Sequence, residues 1–155
     1  MMYFYKQVYT AEVNICMQQG IIRAMASKNT QNWIALADYD LETAAHMLQT
    51  RRYLYVIFLC HLALEKLLKA HVVELTQAIP PRTHDLIYLV KKGGLEIPQP
   101  YLEFIGKINT ASIPTRYPED LQRALSDYPE SVARNYLGQT QEIATWLMQH
   151  PNLKS

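Results

Sequence analysis

The 155-residue sequence is short of several things, and each shortage excludes a class of protein. It has two cysteines, Cys16 and Cys60, too few for the disulfide framework of a small secreted domain and without the paired spacing of a zinc ligand set. Its five glycines form no phosphate-cradling loop, there is no HExxH, and no serine or cysteine sits in a nucleophile motif. The five histidines, His46, His61, His71, His84 and His150, show no zinc spacing. No metal or other cofactor is therefore expected. Net charge is nearly absent as well. A value of +1 is not the basic footprint of a protein that wraps duplex nucleic acid, so any nucleotide or RNA contact must be local. The most apolar stretch is broken by Glu65, Lys66 and Lys69 before it reaches the about 20 residues that a membrane span needs. Residues 1–22 lack the charged start, apolar centre and small-residue cleavage site of a secretory signal. These absences predict a cytoplasmic protein.

What is present is an ordinary globular composition. Hydrophobic residues make up 49% and charged residues 19%, which suits one domain with a sizeable core rather than a disordered chain. Nowhere does the sequence alternate between hairpin turns as strands do, and it shows no internal repeat. It predicts an all-α, up-and-down bundle of about five helices. Residues 29–150 form the expected bundle. Residues 1–28 form an N-terminal extension without an assigned structure, in which the pattern of residues 1–22 fits neither helix nor strand well, and the polar run after Met25 raises the hypothesis that translation starts at Met25 rather than Met1.

The bundle is organised around Arg51 to Thr76. From Tyr53 to Leu64 this stretch is apolar on every side except at His61, so other helices must surround it. His61, Glu65 and Lys69 then recur at intervals of four and stack on one face. On a surface such a stripe is an ordinary solvated edge. On a buried helix it is a paired charge held against desolvation, which points to a site or an interface.

The first helix is expected from Trp33 to Gln49 with Asn32 as cap, joined to the central helix by the short link Thr50 to Arg52. After Pro80 and Pro81, Thr83 is the expected cap of a third helix, His84 to Lys92, which stops at Gly93 and Gly94. Pro98 and Pro100 introduce a fourth, ended by Pro114. A polar loop from Ser112 to Ser126, with room for one helical turn after Pro118, carries Arg116 and Tyr117, residue types that hold an anion and stack on a base. A last helix runs from near Pro129 to Gln149, capped by Ser126 or Asp127, with Val132, Tyr136, Ile143 and Leu147 inward.

In this order, Trp33 with Ala37, Asp40-Leu41 and Ala44, then Leu62 to Ala70 (LALEKLLKA), Thr83 to Leu86 (THDL) and Arg116 to Pro118 (RYP), the chain resembles the HEPN domain, the higher eukaryotes and prokaryotes nucleotide-binding domain. The likeness spans about Trp33 to Gln149. It implies a helical bundle, commonly a homodimer, often encoded beside a minimal nucleotidyltransferase in toxin-antitoxin-like pairs, with members that bind nucleotides or cut RNA. The RNA-cutting branch uses an arginine followed four to six residues later by a histidine as metal-independent acid–base and phosphate-stabilising groups. None of the seven arginines here, Arg23, Arg51, Arg52, Arg82, Arg116, Arg123 and Arg134, has a histidine at that interval. After Arg134, Gln139 stands where the histidine belongs, and Gln141 where some members carry a tyrosine.

The expectation is thus a non-catalytic HEPN subunit that binds a nucleotide or a nucleotidyltransferase partner. Arg116 is the expected phosphate-binding cation, Tyr117 the stacking surface, Lys69 paired with Glu65 a second positive group, and His84 the residue that closes the pocket. Two alternatives stand beside it. One is a ribonuclease toxin with a rearranged site such as His61 with Arg116, and the other is a dimerisation module whose polar stripe is only a seam.

Overall fold

A computed structural model describes residues 2–153, with side chains described for 17–22, 25 and 29–153. Six α-helices follow one another: α1 (Met2–Gln49), α2 (Tyr53–Thr76), α3 (Leu86–Lys92), α4 (Gln99–Arg116), α5 (Leu121–Asp127) and α6 (Glu130–Gln149). A 3-10 turn at Pro151–Leu153 follows α6. Among the described residues there is no strand and no helix long and apolar enough to cross a membrane. Met1, and with it the choice of start residue, lies outside the described residues.

The central position of α2 follows from its sequence. Ile57, Leu64, Leu67 and Leu68 are fully buried, and α2 packs on α1, α3, α4 and α6. Truncating any one of these leucines to alanine removes about 2–5 kcal/mol of stability, because the core around it cannot close the gap. α1 runs antiparallel to α2: Thr30 bonds Glu74 at 2.5 Å, and Lys66 pairs with Asp40. α6 covers another side of α2 with Ala133, Tyr136, Thr140, Ile143, Ala144 and Leu147. Val132, expected to face inward, is half-buried against the core.

Several helix ends differ from the sequence expectation. Asn32 does not cap α1, which runs unbroken from Met2, through part of the extension in which neither helix nor strand was evident. That stretch holds no proline, and once a helix is nucleated each polar residue adds to it at small cost. Asp85, not Thr83, caps α3, and the helix begins at Leu86. The Asp85 carboxylate accepts from both Ile87 and Tyr88 amides, whereas the Thr83 hydroxyl accepts one amide, that of Asp85 itself. Nor does Pro114 end α4. Proline there removes one amide donor, and the helix closes beyond it as the Tyr117 amide donates to the Ile113 carbonyl at 2.8 Å. Arg116 is therefore the last residue of a helix rather than part of a loop. The expected loop also contains α5, whose cap is Asp120. Ser126 and Asp127 belong to α5, and Pro129 precedes α6 without a side-chain cap bond.

Candidate functional site

Along one side of α2, Phe58, His61, Glu65 and Lys69 form a line of side chains, each near a residue from a different part of the chain. Lys69 Nζ donates to Glu65 Oε1 at 2.7 Å and lies 5.6 Å from the ring centroid of Trp33 on α1. Glu65 Oε2 accepts from His84 Nδ1 at 2.8 Å. The His61 ring donates Nε2–H to the His84 backbone carbonyl at 3.1 Å, since a carbonyl can only accept. At the far end, the Arg116 guanidinium carbon sits 4.9 Å from the Phe58 ring centroid, a cation–π contact.

Electrostatics differ sharply between these groups. Burial raises the proton affinity of the Glu65 carboxyl, but hydrogen bonds from Lys69 and His84, with their charges, outweigh it and hold the group below the ordinary glutamate value. Burial lowers the proton affinity of His61, which the Glu65 charge opposes and the Arg116 charge reinforces. His61 is fully buried and its Nδ1 has no hydrogen-bond partner, lying 4.0 Å from Glu65 Oε2. His84, by contrast, is 66% exposed at its side chain. With Nδ1–H donated to Glu65, the ring keeps Nε2 as its remaining proton acceptor.

Arg116 is the outlier. Its Nε and Nη2 are buried and without a hydrogen-bond partner. A guanidinium is always charged, and burying its donors unmatched is unfavourable unless another group comes to meet them. The structure thus joins Glu65, Lys69 and His84 directly and brings Arg116 within electrostatic reach of His61 alone. It does not set Arg116 against Lys69, since each packs on its own aromatic ring, and Phe58 and Lys69 are separated by a rise of about 16 Å along α2. Tyr117 is 73% exposed and lines a groove with Pro118 and Tyr128 whose wall does not include Arg116.

Several partners in this cluster were not picked out from the sequence. Asn109 of α4 accepts from the Leu86 amide at 2.9 Å and donates to Asp85 at 3.4 Å, so it ties the start of α3 to α4. Its signal was a polar residue next to the apolar interval of Ile105 and Ile108. Phe58 and Trp33 read as core positions, and nothing in their spacing marks them as rings beneath cations. On α6, Arg134 is held by Glu130 at 2.6 Å and Gln139 by Asn135 at 2.6 Å. The place where a nuclease histidine would stand is occupied by an ordinary helical side-chain pair. Among the described residues, no group of three or more His, Cys, Asp or Glu side chains could hold a metal ion.

A central apolar helix sheathed by neighbours, with a buried ionic line on one flank, defines a helical-bundle protein with a candidate polar site. A sequence profile described as HEPN domain matches residues 30–150, and the chain belongs to the HEPN domain family. Two solved structures share the fold. TT1696 from Thermus thermophilus superposes with a TM-score of 0.67 at 22% identity, covering 77% of this chain and 96% of that one. ST0689, described as an archaeal HEPN homologue, gives a TM-score of 0.63 at 23% identity, covering 76% of this chain and 93% of that one. No curated protein matches the chain at a significant level.

Proposed function

We propose that the chain is a cytoplasmic, non-nucleolytic HEPN subunit that binds a nucleotide through Arg116, pairs as a homodimer, and serves a minimal nucleotidyltransferase in a toxin-antitoxin-like pair. The observation that carries the nucleotide part is the Arg116 side chain, whose Nε and Nη2 are buried without a partner. Arg116 as a whole is only half-buried, so a phosphate oxygen entering beside it would supply the acceptor that these donors lack. Tyr117, the next residue, opens on a separate groove whose wall lacks Arg116 and takes no part in this site. Lys69 acts mainly through Glu65, neutralising it and fixing its orientation, so that Glu65 in turn positions the exposed His84 ring at the edge of the site.

The ribonuclease alternative gains one observation, that the Arg116 charge is felt at His61. It loses a stronger one. His61 is fully buried and its Nε2 is engaged by a backbone carbonyl, so it has no route to a substrate proton.

Isothermal titration calorimetry with ATP, ADP and AMP tests the proposal. The wild type is expected to bind, Arg116→Ala to lose about tenfold or more in affinity, and Arg116→Lys to recover part of it. Equal heats in wild type and Arg116→Ala, or no heat in either, would remove the assigned role.

A further inference from the structure

Two exposed apolar surfaces lie at opposite ends of the bundle, and neither takes part in the cluster around Glu65. The first is the arm of α1 that runs past the last turn of α2. Thr30 meets Glu74 at that turn, and residues before Thr30 continue as helix. Met17, Ile21 and Met25 recur at intervals of four on this arm and are 63%, 58% and 69% exposed. Met25 borders a shallow groove with Val73 and Ile79, yet the protomer's own bundle leaves the stripe uncovered. Between Met17 and Lys28 the only charges are Arg23 and Lys28, both positive. This segment lies outside the family-matched residues 30–150.

The second surface is a groove of about 380 Å³ between the end of α4 and α5. Its apolar lining comes from Ile113, Pro114, Tyr117, Pro118, Ala124 and Tyr128. Its charged lining is three carboxylates against one guanidinium: Glu119, Asp120, which caps α5, and Asp127, which lies 3.9 Å from Arg123, so the groove is net acidic. Ile113 is 69% exposed. An apolar, acidic-rimmed groove on a nearly neutral protein suits an apolar helix with positive charges.

We infer that the α4–α5 groove receives the N-terminal arm of α1 from a second copy of this chain, so that two protomers exchange arms. The groove is lined on either side of Arg116 in sequence, by Pro114 and Tyr117, and Arg116 packs on Phe58 near the start of α2, while the arm departs near its end at Glu74. A two-fold axis that sets the two α2 helices antiparallel would bring each arm to the end of the partner that carries the groove, and the same contact would form twice. The inference rests on the homodimeric part of the proposed function and adds where the copies meet.

Sedimentation equilibrium of the full chain tests it. Wild type is expected to dimerise, with the dissociation constant rising as salt increases from about 50 to about 500 mM, because salt screens attraction between a positive segment and an acidic groove. The pair Ile21→Glu with Met25→Glu, at exposed positions that leave the fold intact, is expected to weaken the dimer by at least about a hundredfold. Glu119→Lys with Asp127→Lys is expected to weaken it about tenfold, and adding Arg23→Glu with Lys28→Glu to restore it. A monomeric wild type, or a dimer indifferent to both pairs of substitutions, would overturn the inference. ATP calorimetry on the monomeric Ile21/Met25 variant keeps the two readings apart: unchanged heats with the dimer lost mark a defect in the arm alone.

Discussion

His84 and Glu65 are joined by a 2.8 Å hydrogen bond between an exposed ring and a buried carboxylate. The same carboxylate holds Lys69 on its other oxygen, so one buried anion organises two cations or cation-forming groups at once.

Removing that anion leaves Lys69 buried without a counter-charge. Glu65→Ala is expected to destabilise the fold by about 3 kcal/mol, measured by urea denaturation at neutral pH. Glu65→Gln should lose less, since the amide oxygen still accepts one donor. The Glu65 carboxyl is held below its ordinary value in the folded chain, so the unfolded chain binds its proton more readily. Its contribution is therefore complete above the ordinary glutamate range and is lost as pH falls through the lowered folded value. Stability that did not decline in acid more steeply for wild type than for Glu65→Gln would contradict this.

A second pH dependence comes from His71, away from the cluster. It is fully buried, its Nε2 donates to the Leu147 carbonyl at 3.0 Å, and its ring packs edge-on against His150. Burial, which the Leu147 carbonyl opposes and His150 reinforces, pushes its pKa down from 6.5 to about 4. Between these values the unfolded chain binds a proton that the folded chain refuses, so stability is full above about pH 6.5 and falls by roughly 3 kcal/mol on going down to about pH 4. His71→Gln keeps a donor near Leu147 and cannot titrate. Thermal melts across that range should show the slope flattened in the variant.

Arg116 poses the opposite trade. Its unmatched buried donors disfavour the folded state, so Arg116→Met, which keeps the packing on Phe58, is expected to leave stability unchanged or raise it by up to about 1 kcal/mol. The same substitution should weaken nucleotide binding by about tenfold or more, as is expected of Arg116→Ala. A marked loss of stability would identify Arg116 as a structural residue instead.

At the start of α3, Asp85→Ala removes the acceptor for the Ile87 and Tyr88 amides and is expected to lower stability by about 1 kcal/mol. Because Asp85 follows His84 directly, chemical shifts of the His84 ring should move as well, while those of His71 stay fixed.

Much of the fold was legible because it depends on patterns that a single chain displays. The all-apolar run before Leu64 forces burial, and the i, i+4 spacing of His61, Glu65 and Lys69 fixes a shared face. Helix ends were less legible where two candidates compete. Thr83 and Asp85 both have capping side chains, and only the number of amides each can reach separates them. Asn32 resembled a start because nothing local reveals that a helix is already under way. For the candidate site, the Glu65–Lys69 pair and the approach of His84 follow from local spacing and from the loop that returns along α2. The rings of Phe58 and Trp33 beneath the cations, and the bridge made by Asn109, depend on which helices become neighbours. That information is long-range, and no window of sequence contains it.

The glycine pair after α3 reaches further than a stop signal. Gly94 adopts φ 61°, and a β-carbon there would come within 3.0 Å of Leu75 Cδ2 near the end of α2. Leu75 is exposed and the end of its side chain can swing aside, so the demand at this position is conformational: a β-branched or bulky residue would resist the left-handed turn that lets the Leu95 amide close back on the Val90 carbonyl at 3.3 Å. The change of direction between α3 and α4 is thus set where the backbone carries no side chain at all.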